Sequence, residues 1–93
     1  MSEILTPKRR ADLRSQAHKL KPAIMLGKEG VNEQIIQSVE EYFHVHELLK
    51  VKLQKSCPLS RQEVADRLSQ QTEAAPVQQI GRVIVFFRPT DKE

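Results

Sequence analysis

The sequence predicts an α/β domain in the order α-β-α-β-α-β-β, one mixed sheet with three helices packed on it. Three observations predict this. Three stretches repeat apolar residues at helical spacing, around Leu13, Ile35 and Val64. Four short runs beside them have strand length: two wholly apolar, one alternating, and Val77 to Ile80 with apolar ends. The last two runs are separated only by Gly81 and Arg82, the length of a tight hairpin turn. A chain of 93 residues suits one domain over 1–93, with a core from about 5 to 90.

The first helix opens on Thr6 as N-cap and Pro7 at the first helical position, where a missing N–H costs nothing. Leu13, Ala17 and Leu20 form its apolar stripe; Arg9, Arg10, Arg14 and Lys21 lie off it. Pro22 stops it, because the residue before a proline avoids the α region. "AIMLG" (23–27) reads as a strand buried on both faces and closed by glycine. Asn32 caps a second helix whose Ile35, Ile36, Val39 and Phe43 face inward, with Glu40 and Glu41 outward. "HELLKVKLQK" (46–55) alternates: Leu49, Val51 and Leu53 point one way, Lys50, Lys52 and Gln54 the other. Ser60 followed by Glu63 is a capping-box signal for a third helix over Val64, Ala65 and Leu68, ending near Thr72. "TEAAP" reads as a connection, then strands run from Val77 to Ile80 and from Val83 to Phe87. The last strand is apolar throughout, so both its faces should be covered.

Hydrophobic residues at 39% and charged residues at 29% describe a globular rather than a disordered chain. No apolar run approaches the roughly 18 residues of a membrane span, and the N-terminus lacks a signal pattern. Cys57 is the single cysteine and forms no internal disulfide, which suits a reducing, cytoplasmic setting. The net charge is +3, but its distribution says more. Residues 1–28 carry seven Lys or Arg against Glu3 and Asp12, a net of +5. Residues 29–49 carry Glu29, Glu33, Glu40, Glu41 and Glu47 with no Lys or Arg, a net of −5. Such segregation produces either a basic and an acidic face or, if the chain folds it together, a mixed solvated surface.

Between the first strand and the second helix lies Gly27-Lys28-Glu29-Gly30. Glycines permit positive φ and keep side chains clear of an approaching backbone, and Lys28 adds a cation at the tip. A GXXG loop in this setting clamps the sugar–phosphate backbone in KH modules. The tetrapeptide alone is mostly a turn; the basic helix before it and the lysines at 50 and 52 strengthen the reading. Glu29 at the tip and Glu33 near the helix start oppose it. Tyr42, Phe43, Phe86 and Phe87 do not follow the surface alternation of a base-stacking sheet. His44, His46 and Cys57 fall short of a zinc-ligand pattern, and Cys57 has no neighbouring base to make it a nucleophile. The residues thus point to a non-enzyme with no metal, cofactor or small-molecule substrate.

"LKPAIMLGKEG", "HELLKVKL" and "IGRVIVFFRP", in this order and spacing, resemble the CRM domain, and more closely the stand-alone bacterial YhbY-like proteins. The resemblance spans about Leu5 to Thr90 and is weakest between Leu53 and Val77. It implies a fold similar to the C-terminal domain of bacterial translation initiation factor three. It also implies an RNA-binding protein, associated with ribosomal RNA in large-subunit precursors and assisting their assembly; a monomer is expected separately. Carried over, the RNA-contacting residues are Gly27, Lys28, Glu29 and Gly30, supported by Arg9, Arg10, Arg14 and Lys21. Lys50 and Lys52 match the family's block but either touch RNA or face a helix. The competing expectation is a protein–protein adaptor whose acidic 29–47 stretch docks a basic ribosomal protein.

Overall fold

A computed structural model describes residues 6–89; the ends of the expected core, Leu5 and Thr90, lie outside them. Three helices and four strands follow the expected order: α1 (Pro7–Ala17), β1 (Ile24–Leu26), α2 (Glu33–Phe43), β2 (Leu48–Leu53), α3 (Arg61–Thr72), β3 (Ala75–Ile80) and β4 (Val83–Phe87). The sheet runs β1-β2-β4-β3. β1 pairs parallel with β2, and the other two ladders are antiparallel, so the sheet is mixed.

The period-2 alternation of β2 and β4 divides the core into two clusters, one on each sheet face. Leu49, Val51, Leu53, Ile84 and Phe86 meet Val39 and Phe43 of α2 and Val64, Ala65 and Leu68 of α3. Leu48, Val85 and Phe87, with Val77 of β3, meet Leu13 and Ala17 of α1. One helix therefore covers one face and two helices cover the other. β4 is central, which explains its uninterrupted apolar run.

Four local expectations are corrected. α1 ends at Ala17, not at Pro22; its last turn tightens, with Leu20 N donating to Ala17 O at 2.9 Å, before the chain drops to the sheet. β1 is an edge strand, not one buried on both faces: Leu26 is fully buried but Met25 is 54% exposed, because α1 does not reach over it. β3 starts at Ala75, two residues early, with a register shift between Pro76 and Gln78. Its edge position tolerates both the proline and the irregularity. Glu40 is half-buried rather than outward: Arg88 Nη1 donates to its Oε1 at 2.9 Å and to Thr72 O at 3.0 Å, tying α2 and α3 to the end of β4.

Capping follows the sequence closely. Thr6, Asn32 and Ser60 each accept a backbone N–H, from Arg9, Ile35 and Glu63 respectively. The capping box closes when Ser60 N donates to Glu63 Oε1 at 2.9 Å. None of the helices described is long and apolar enough to cross a membrane.

Candidate nucleic-acid interface

β1 delivers the chain to the Gly27–Gly30 turn at the end of the sheet where β2 also ends. Gly30 N donates to Gly27 O at 3.0 Å, which closes the turn and leaves Lys28 and Glu29 exposed at its tip. Gly30 has φ +64°, and a Cβ there would lie 3.3 Å from Leu59 Cδ1. A Cβ on Gly27 would meet the end of the Gln54 side chain at 3.2 Å and Ser56 Oγ at 3.7 Å. The second glycine therefore answers to the backbone and to the loop that follows β2. The first leaves more room. Asn32 already occupies one free N–H at the start of α2, and Glu33 adds a carboxylate in that first turn. Anion affinity here must come mainly from Lys28 and its neighbours.

Those neighbours include two cations that the sequence reading passed over. Gln54 N donates to Leu26 O at 2.8 Å, and Leu53 N donates to Arg82 O at 2.7 Å. These bonds bring three turns together: 27–30, the 54–59 segment and the Gly81–Arg82 hairpin. Lys55 and Arg82 are exposed on the second and third of them. Lys55 closes the stretch 46–55, and the pairing of β1 with β2 sets its turn next to that of Lys28.

The cations of α1 are not gathered around this turn. Arg9 lies over the Phe87 ring at 5.1 Å and 3.6 Å from Asp12. Arg10 Nη1 reaches Val77 O at 3.4 Å. Phe87 pairs with Leu48 at the start of β2, whereas the glycine turn follows Leu26, which pairs with Leu53 at its end. Five strand residues, roughly 17 Å, separate the two levels. Lys21 is exposed in the segment leading to β1. Arg14 alone among these α1 cations lines the groove between the helix and the β3–β4 hairpin.

Lys50 faces a helix. Its Nζ donates to Ala17 O at 3.1 Å and Leu20 O at 3.0 Å, capping the last carbonyls of α1. Lys52, two residues on and on the same face, is exposed. Phe43, Phe86 and Phe87 are core residues, and Tyr42 stacks on His46 with ring centroids 4.4 Å apart. Burial pushes the Tyr42 phenol above its ordinary value, so it stays protonated at neutral pH. Cys57 is half-buried with Sγ 3.8 Å from Leu59 O. Among the described residues no three His, Cys, Asp or Glu side chains cluster as metal ligands.

Comparison with known proteins agrees with this fold. The CRS1 / YhbY (CRM) domain matches residues 5–88. The chain is 34% identical to an RNA-binding protein of Haemophilus influenzae over 95% of its length and 89% of the relative's. It is 36% identical to YqeI of Bacillus subtilis, named as a probable RNA-binding protein, over 91% of this chain and 88% of that one. The solution structure of SAV1595 from Staphylococcus aureus superposes with a TM-score of 0.79 at 35% identity, covering 96% of this chain and 93% of that one. With the family model matched over residues 5–88 and a solved relative superposing over 96% of its length, the chain belongs to the CRS1 / YhbY (CRM) domain family.

Proposed function

We propose that this chain is a non-catalytic, cytoplasmic, monomeric RNA-binding protein that associates with large-subunit ribosome precursors and assists their assembly. The relatives named for RNA binding support the ligand class; the resemblance to YhbY-like proteins supports the ribosomal setting. The observation that carries the contact surface is the closed turn that holds Lys28 outward, with Lys55 and Arg82 on adjoining turns. Gly27, Lys28, Glu29 and Gly30 meet the RNA backbone there. Lys52 and Arg14 continue the basic surface onto the sheet, and Arg9, Arg10 and Lys21 take phosphates further along the strand. Such contacts are sequence-tolerant and strongly salt-dependent.

The test is RNA affinity measured over a series of salt concentrations. Lys28→Ala weakens binding to unrelated sequences alike and makes the plot of log K against log salt shallower by about one unit. An unchanged slope removes Lys28 from the site. The adaptor reading, docking through residues 29–47, has less to work with, since Glu40 holds Arg88. Glu33→Gln with Glu41→Gln abolishes ribosomal-protein capture if that reading holds and leaves RNA affinity no weaker if it does not. Co-sedimentation of the tagged chain with large-subunit precursors tests the ribosomal setting.

A further inference from the structure

The sheet face that carries α1 is covered only in part. α1 lies over Leu48, Val77, Val85 and Phe87. Nearer the glycine turn, the register sets four residues in a row across the sheet: Met25 pairs with Lys52, Lys52 with Val83, and Val83 with Ile80. Paired residues of neighbouring strands point to the same face, and this is the face of Lys50 and Val85. Met25 is 54% exposed and Ile80 60%, two of the three large apolar side chains left in water among the described residues. Between this row and α1 runs a groove of about 510 Å³. Arg14, His18 and Lys50 are on its wall, Gln78, Ile80 and Val83 on its floor, and no carboxylate lines it.

An apolar floor inside a cationic, carboxylate-free wall suits a polyanion that also carries flat apolar faces. A strand running from the glycine turn to Arg14 must cross this row, because Met25 and Lys52 immediately precede the ends of β1 and β2. We propose that the groove seats one or two unpaired nucleotides of an RNA strand, bases against Ile80 and Val83, phosphates against Arg14 and Lys52. Only unpaired bases can offer their faces, since those of a duplex are stacked on each other. The floor is aliphatic, so the contact selects single strands without choosing a sequence. The proposal rests on the RNA-binding reading and takes the strand's path from the glycine turn, and variants at Ile80 and Lys28 separate the two contacts.

The experiment compares a labelled, unstructured RNA of roughly ten nucleotides with a blunt duplex of the same length, by fluorescence anisotropy. Ile80→Ser, at an exposed site, weakens the single strand about fivefold with an unchanged salt slope and leaves the duplex alone. Ile80→Tyr adds a stacking ring and tightens the single strand several-fold, a gain that misfolding cannot imitate. Should both variants bind the single strand as the parent does while Lys28→Ala weakens it, the groove is not a nucleotide site and the turn still is. If the parent binds neither RNA in dilute salt, both readings fall. If Ile80→Ser instead dissolves a dimer seen by light scattering, or removes binding to polyglutamate, the face serves a protein contact and the proposal is overturned.

Discussion

Gly27 and Gly30 look alike in the sequence and are held by different constraints. Gly30 combines φ +64° with the methyl of Leu59 3.3 Å from where its Cβ would stand. Gly27 faces the movable end of Gln54 and, at ordinary contact distance, Ser56 Oγ. Gly30→Ala should therefore cost about 1–2 kcal/mol, and Gly27→Ala less than about 0.5 kcal/mol, in urea unfolding. Equal losses would show that the turn relaxes differently from this geometry. The pair also separates fold from function: if Gly27→Ala keeps its stability but binds RNA more weakly, Gly27 is where the polyanion comes close. Glu29 stays at the tip beside Lys28, so two adjacent residues of opposite charge share one exposed turn. Lys55 and Arg82 restore a basic balance there.

At the level of elements, α1 packs alone on its sheet face, chiefly through Leu13 and Ala17. Its C-terminal end is fastened by Lys50, whose ammonium bridges the carbonyls of Ala17 and Leu20. Lys50→Met removes that donor and strips the half-buried Leu20 carbonyl of it, while Ala17 O keeps the Leu20 N–H, for a cost of about 1–2 kcal/mol. Thermal unfolding should register the loss, and amide exchange should accelerate in residues 17–23. The salt slope for RNA should stay at the parent value; a shallower slope would mean that Lys50 also meets phosphate. α3 presents the opposite case. Its capping box is written in Ser60 and Glu63 and forms as read, independently of what the helix packs against.

Across the whole molecule, the basic residues occupy two levels of one sheet. Lys28, Lys55 and Arg82 stand at the end of β2, and Arg9 and Arg10 near its start. Roughly 17 Å is about five times the 3.4 Å duplex rise per nucleotide, and an unpaired strand stretches further per nucleotide than that. Only an RNA of about one or two nucleotides therefore falls short of reaching both. Arg9→Gln with Arg10→Gln should weaken an RNA of roughly fifteen nucleotides several-fold and leave one of about two nucleotides unaffected, whereas Lys28→Ala weakens both. Equal loss on the short RNA would place the arginines in the same contact as the turn.

The order of elements, the three N-caps, the hairpin and most residues of the core, though not Leu48 and Ala74, were legible in the chain. Each depends on neighbours within a few positions: apolar spacing, a capping side chain, a glycine between two strands. The family blocks pointed in the same direction. What stayed hidden was decided by pairing between distant segments. Lys50 and Lys52 share one alternating strand, yet α1 descends on the first and stops short of the second. Lys55, Arg82 and Lys28 share one end of the sheet only because β1 lies parallel to β2 and the β3–β4 turn closes against β2. The cations of α1 read as one basic segment, but a helix crossing a sheet must set its ends at different levels, and that separates Arg9 from the glycine turn. Local pattern specifies which elements form; where their charges meet is settled by strand register and by the face on which each helix packs.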